Sequence, residues 1–241
     1  MGSTFSMVAR CPNSAAVRPC SALFFQIAAF TSIAIRRYAA SSKVGKAFGD
    51  GDAEAAADAA RRLESFATGP GSGDHVRRDQ HNLAVCMLGY RSALAGDLRE
   101  TASAIERLSE AVRLEDNNFA KRNARVCTAM LSATIATPAH GTNAARARRE
   151  VAALDSLLLR DRVPPHVIVE ASAIVAARLH AALGDTALAL IAARRREYLT
   201  GDPLFLSTQL RNEAIYAKAV GDSTGAARAT AHLAALRSKR Q

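Results

Sequence analysis

The 241-residue chain has no tryptophan, and aromatic residues make up only 5% of it. Runs of β-branched and aromatic residues, which strands favour, are also scarce. These shortages argue against a sheet-built domain. The four cysteines, Cys11, Cys20, Cys86 and Cys127, include no C-x-x-C pair, so neither a zinc site nor a redox motif is indicated. Cys86 and Cys127 stand in apolar helical contexts and are expected to be buried, reduced thiols acting as small hydrophobes. A reducing intracellular compartment then follows as the default. The six histidines (His75, His81, His140, His166, His180, His232) form no H-E-x-x-H and lack metal-ligand spacing. The glycine-rich stretch from Gly69 to Gly73 lacks the Lys-Ser/Thr of a phosphate loop, and no G-x-S-x-G elbow or aspartate-rich calcium loop occurs. No cofactor, metal or catalytic residue is expected, and the chain reads as a non-enzyme.

Acidic side chains are absent from residues 1–49, which carry Arg10, Arg18, Arg36, Arg37, Lys43 and Lys46. That stretch therefore holds +6 of the formal net charge of +10. The other 192 residues have 26 basic and 22 acidic side chains, ordinary for a folded surface. A global electrostatic footprint for nucleic acid is not established by this balance. No long hydrophobic run is present either. The longest candidate, Ala22 to Ile35, is interrupted by Gln26, Thr31 and Ser32. Its 14 residues would cover about 21 Å as a helix, short of the ~30 Å hydrocarbon core. A transmembrane span is therefore not favoured; a weak N-terminal membrane association is the most this run supports. Residues 1–45 read in three ways: a transit peptide, a secretory signal or short anchor, or the first helix of the first repeat. A transit peptide over residues 1–38 would direct the chain to the mitochondrial matrix; otherwise a bacterial cytoplasm fits the reduced thiols.

Alanine is what the chain has in abundance, and it supplies much of the 49% hydrophobic content. Alanine has the best helix propensity and lets helices approach closely, so the fold class is all-α. Glycine punctuates it. Gly51-Asp52, Gly96-Asp97, Gly184-Asp185 and Gly221-Asp222, with a degenerate Gly141-Thr142, are spaced by 45, 45, 43 and 37 residues. Such a period indicates stacked helix hairpins, because one hairpin cannot bury its apolar face alone. Glycine suits the left-handed position after a helix C-terminus, and Asp or Thr next caps the following helix.

The pattern predicts helices over 53–67, 75–95, 98–114, 119–137, 143–160, 166–183, 186–199, 204–220 and 223–240. Pro164-Pro165 and Gly201-Asp202-Pro203 supply breaks. The helical-repeat domain is placed at 46–241, with a flexible loop at 68–74.

Leu88-Gly89, Gly96-Asp97, Ala104-Ile105-Glu106, Ala111-Val112 and Leu114-Glu115-Asp116-Asn117-Asn118 together resemble a tetratricopeptide repeat. This chain departs from the family by about one extra helical turn before Ala104 and by Asp116 where the family has Pro. Gly184-Asp185 to Arg240, with Arg194-Arg195-Arg196, Leu206 to Arg211 and Gly221-Asp222, also resembles the tetratricopeptide-like tails of large bacterial regulators. The resemblance covers roughly residues 45–240. It implies a right-handed α-solenoid of about five stacked hairpins that binds another protein or peptide in its concave groove.

In that family the first helices of the hairpins line the groove, which makes Tyr90, Arg91, Arg178, His180 and Tyr216 the partner-groove candidates. Tyr and Arg are also the types enriched at binding hot spots. Arginine clusters on second helices make a basic stripe candidate: Arg61, Arg62, Arg146, Arg149, Arg194 and Arg195, near Arg148 and Arg196. The stripe supports a second reading, an RNA- or ribonucleoprotein-associated factor of an organelle. Nucleic acid is not the favoured partner, because no base-stacking aromatics interleave with the clusters. A third reading is the detached tail or sensor region of a larger bacterial regulator.

Overall fold

The computed structural model describes residues 44, 47, 48, 50–68, 73–137, 143–160, 167–195 and 203–238. The chain divides into two units, Met1–Tyr38 and Ala39–Gln241. The leader expected over 1–45, apart from Val44, lies outside the described residues, as do most of the loop at 68–74, the degenerate turn Gly141-Thr142, Pro164-Pro165 and Arg196.

Within the second unit the described residues are helical or in turns, with no strand among them. Val44, Ala47, Phe48 and Asp50 are helical. Among the described residues nine helices follow: α1 (Ala53–Ala67), α2 (Asp74–Leu94), α3 (Leu98–Leu114), α4 (Asn118–Ala136), α5 (Ala144–Arg160), α6 (Val167–Ala182), α7 (Thr186–Ala193), α8 (Pro203–Ala219) and α9 (Ser223–Ser238).

One turn is used four times. Gly51, Gly96, Gly184 and Gly221 have φ of 67°, 75°, 79° and 82°. After Gly96 the Asp97 N–H reaches back to the Ser92 carbonyl (2.9 Å), and the Gly96 N–H to that of Ala93 (3.2 Å). The pairs Asp185 to His180 (2.9 Å) and Asp222 to Ala217 (2.8 Å) repeat the first bond, and Asp52 to Ala47 (3.1 Å) repeats it again. This is the Schellman arrangement, which satisfies the orphan carbonyls of a helix end and needs a left-handed residue at the glycine. The next residue then opens the following helix. The carboxylates of Asp52, Asp97 and Asp222 accept from the N–H of Ala55 (2.9 Å), Glu100 (3.0 Å) and Gly225 (2.8 Å). Asp185 makes no such cap. Its carboxylate is held instead by Arg148 of α5, whose Nε donates at 2.9 Å.

Each helix from α1 to α8 packs on its successor, and α2, α4, α6 and α8 also pack on one another in series. The contacts are close because small residues face them. Ala56, Ala59, Ala124, Ala133, Ala171, Ala176 and Ala189 are fully buried. At Gly89 of α2, an added Cβ would sit 2.7 Å from both the Ala104 Cβ of α3 and a Leu131 methyl of α4. Larger side chains fill the remaining volume: Phe48, Met87, Tyr90, Leu108, Met130, Leu154 and Ile174. One apolar core runs from Val44 through α6 to Phe205 of α8, while Ala177, Ala192 and Ala193 make a small separate cluster with Tyr216 against it.

Two expectations need correction. Cys86 and Cys127 are not reduced thiols: they form a disulfide between α2 and α4, with Cα atoms 5.7 Å apart. The disulfide removes the two thiols on which the expected reducing compartment rested. The second concerns α7, which ends at Ala193 rather than continuing to residue 199. Arg194 caps it, and the side chains of Arg194 and Arg195 are drawn to acids on other helices. No described helix is long and apolar enough to cross a membrane.

Candidate interaction cleft

The C-terminal halves of α2, α4 and α6 enclose a cleft of about 680 Å³. The Gly96 turn carries Leu98 to its mouth, where that side chain is 63% exposed. Leu94, Ile135, Val175 and Leu179 make the wall apolar, and Thr134 and Thr137 add hydroxyls. Both threonine hydroxyls donate to their own helix, to the Met130 and Ala133 carbonyls (2.7 and 2.8 Å). Tyr90 and Arg178 are the remaining polar side chains of the wall.

Arg178 is built into place. Its Nη1 donates to the Phe48 carbonyl (3.0 Å) and to the Tyr90 hydroxyl (3.3 Å). Gly51 lies directly beneath, and a Cβ there would collide with the guanidinium. The Tyr90 ring is buried against Phe48, with centroids 4.7 Å apart and planes tilted by 50°. Burial raises the Tyr90 phenol above its ordinary pKa, against the opposing charge and hydrogen bond of Arg178. Tyr216 of α8 is half-buried, and its phenol is likewise raised by burial while feeling the Arg178 charge.

Of the five groove candidates, the structure thus brings Tyr90 and Arg178 together in the cleft wall and places Tyr216 within the field of Arg178. It separates the other two. Arg91 is exposed and lines a polar recess with Asp52, Glu54, Asp58 and Arg61. His180 is buried, and its Nε2–H donates to Asp155 of α5 (2.8 Å). Tyr90 is equally buried, although it lines the cleft.

The arginine stripe is divided. Arg61 and Arg62 pair with Asp58 one turn back on α1 (3.6 and 3.3 Å), and Arg146 and Arg149 are exposed on α5. Arg194 and Arg195 are not helix-surface residues. Arg194 bridges Glu213 of α8 (3.1 Å) and Asp222. Arg195 donates to Asp155 (2.6 Å) and is only 10% exposed. Burial works to raise the Asp155 carboxyl, but the hydrogen bonds and charges of His180 and Arg195 outweigh it and hold it below its ordinary pKa.

Sequence reasoning missed the disulfide, the Asp155 network and the role of Phe48. A signal for the first did exist. Cross-helix partners on α2 and α4 recur about one repeat apart: Asn123 donates to Asp79, 44 residues earlier (3.1 Å). Cys86 and Cys127 are 41 apart, within a helical turn of that offset. Among the described residues no cluster of three or more His, Cys, Asp or Glu could hold a metal. No protein-family model, curated protein or solved structure matches the chain.

Proposed function

We propose that this chain is a non-catalytic scaffold of the tetratricopeptide-like kind, a right-handed solenoid of about five helix hairpins whose groove takes a segment of another protein. The observation that carries this reading is the series contact of α2, α4, α6 and α8, with an apolar cleft open across the first three. First helices that line a common face are what such a groove requires. The four Gly-Asp turns, alike in their left-handed glycine and backbone bond, support the same reading. A preformed groove of this kind binds with little backbone rearrangement.

The nucleic-acid reading loses Arg194 and Arg195, which are tied to Asp155, Glu213 and Asp222. Amide hydrogen exchange on the full chain, alone and with a partner co-purified from native cells, tests the scaffold. Protection gathered on α2, α4 and α6 is the expected result. Protection confined to the exposed faces of α3 and α5, or RNA binding that falls steeply with salt, would sink it.

A further inference from the structure

The cleft combines an apolar wall with one fixed cation. Among the described residues lining it, Arg178 is the only charged one. It makes no ion pair with any acid among the described residues; its bonds are to the Phe48 carbonyl and the Tyr90 hydroxyl, both through Nη1. Asp50, beside Gly51 in the chain, is engaged elsewhere, with its carboxylate 3.7 Å from Arg211 of α8. Among the described residues Nη2 and Nε of Arg178 have no hydrogen-bond partner, and the half-buried side chain lines the cleft. By contrast, Arg148, Arg194 and Arg195 each find a carboxylate of the chain. A guanidinium presents five donors in a planar fork that matches a carboxylate, and it keeps its charge at any physiological pH.

We infer that the segment taken by this cleft is an apolar one carrying a carboxylate, which pairs with the outward edge of Arg178 while its apolar side chains lie on Leu94, Ile135, Val175 and Leu179. This rests on the groove reading above and specifies its chemistry. The logic is charge complementarity. An arginine held rigid by a helix-end carbonyl, a buried phenol and a glycine floor has lost its side-chain freedom before any ligand arrives. The pairing therefore costs less ordering entropy than it would on a mobile surface arginine. The exposed Leu98 at the mouth supplies apolar area at the entrance.

The test is a selection of short random peptides displayed on phage against the folded full-length chain, run in parallel on Arg178→Met and Leu98→Asp. Circular dichroism checks that each variant is folded. Leu98→Asp changes a 63% exposed side chain and leaves the core intact. The wild type should enrich apolar peptides with an Asp or Glu at a constant position. Arg178→Met should enrich apolar peptides without that acid, and a wild-type-selected acidic peptide should bind it about 10- to 100-fold more weakly. Arg178→Lys should fall between the two, because it keeps the charge and loses the fork. Leu98→Asp should weaken the acidic peptide by about tenfold through like-charge repulsion. The same acidic preference in the wild type and in Arg178→Met would overturn this inference while leaving the groove reading standing. Failure of every form to enrich any peptide would remove the groove reading, and this inference with it.

Discussion

The helices up to α6 and the segment around α7 combine apolar packing and charge in different proportions. In the first region large apolar side chains interlock: Phe48, Met87, Tyr90, Leu108, Met130, Leu131 and Leu154 share one core, and the Cys86–Cys127 disulfide crosses it. Around α7 the apolar cluster shrinks to Ala177, Ala192 and Ala193, with Tyr216 against it. There charged cross-links join in, one set reaching back to α5 and α6. Asp155 takes His180 and Arg195; Glu213, only 1% exposed, takes Arg194 and, at 3.4 Å, Arg228. Buried alanine removes much less apolar area from water than leucine or phenylalanine, so alanine-on-alanine faces slide past one another at little cost. Directional ion pairs oppose that sliding. The comparison teaches that large interlocking side chains and a covalent bond pin the earlier helices, while small-residue packing around α7 is supplemented by ion pairs that tie its C-terminal end to α5 and α8.

The sharpest way to break the comparison is at the disulfide. Closing a span of 41 residues restricts the unfolded chain by about 4 kcal/mol in the chain-entropy account. The double variant Cys86→Ser/Cys127→Ser should lose about that much in urea denaturation, and adding a reductant to the wild type should reproduce the loss. A loss below about 1 kcal/mol would show that the apolar core alone holds this region.

Next in size is the charged end. Asp155→Ala strands His180 and Arg195, which are 5% and 10% exposed in their side chains. Removing one partner of such a buried set should cost about 3 kcal/mol by the same measurement. The pH dependence has a definite sign. The Asp155 carboxyl is depressed in the folded state. Its stabilisation is therefore complete above the ordinary aspartate value of about 3.9 and is lost as pH falls through the lower folded value. Asp155→Asn should flatten the acid limb of the stability profile. An unchanged limb would mean that this network does not hold the region.

Gly89→Val tests the close approach of α2 to α3 and α4. Its side chain would meet Ala104 and Leu131, and overpacking there should cost about 2 kcal/mol, read from the thermal midpoint. Gly96→Val is the smallest expected effect. Nothing lies within 4 Å of the added Cβ, so only the left-handed backbone is strained, by about 1 kcal/mol. If Gly96→Val proved as costly as Gly89→Val, the turn would be under more constraint than its open surroundings suggest.

Much of the fold was legible along the chain. α1 and α3 begin and end where their caps and apolar spacing place them, and most other boundaries fall within a residue or two. The reason is that a Gly-Asp step carries both signals, the left-handed stop and the capping start, in adjacent residues. α7 was misjudged because Arg194, Arg195 and Arg196 read as good helix formers, whereas the first two are drawn to Asp155, Asp222 and Glu213. The cleft was legible only in part. Tyr90 and Arg178 stood out as residue types that binding faces use, but His180 and Arg91 stood out equally and lie elsewhere.

What the sequence by itself determined was local. Helix content, the four turns and their spacing follow from propensity, capping and glycine's access to positive φ, all of which act within a few residues. Only the tertiary structure decided which cysteine met which, which arginines became internal cross-links, and which one was left facing an apolar cleft. Those outcomes depend on the register of one helix against another some 40 to 130 residues away. A shift of a single helical turn, about 5.4 Å, would move Arg178 off the Phe48 carbonyl and the two sulfurs apart. That register is set by how alanine and glycine faces nest, and no stretch of sequence shorter than a whole hairpin pair contains it.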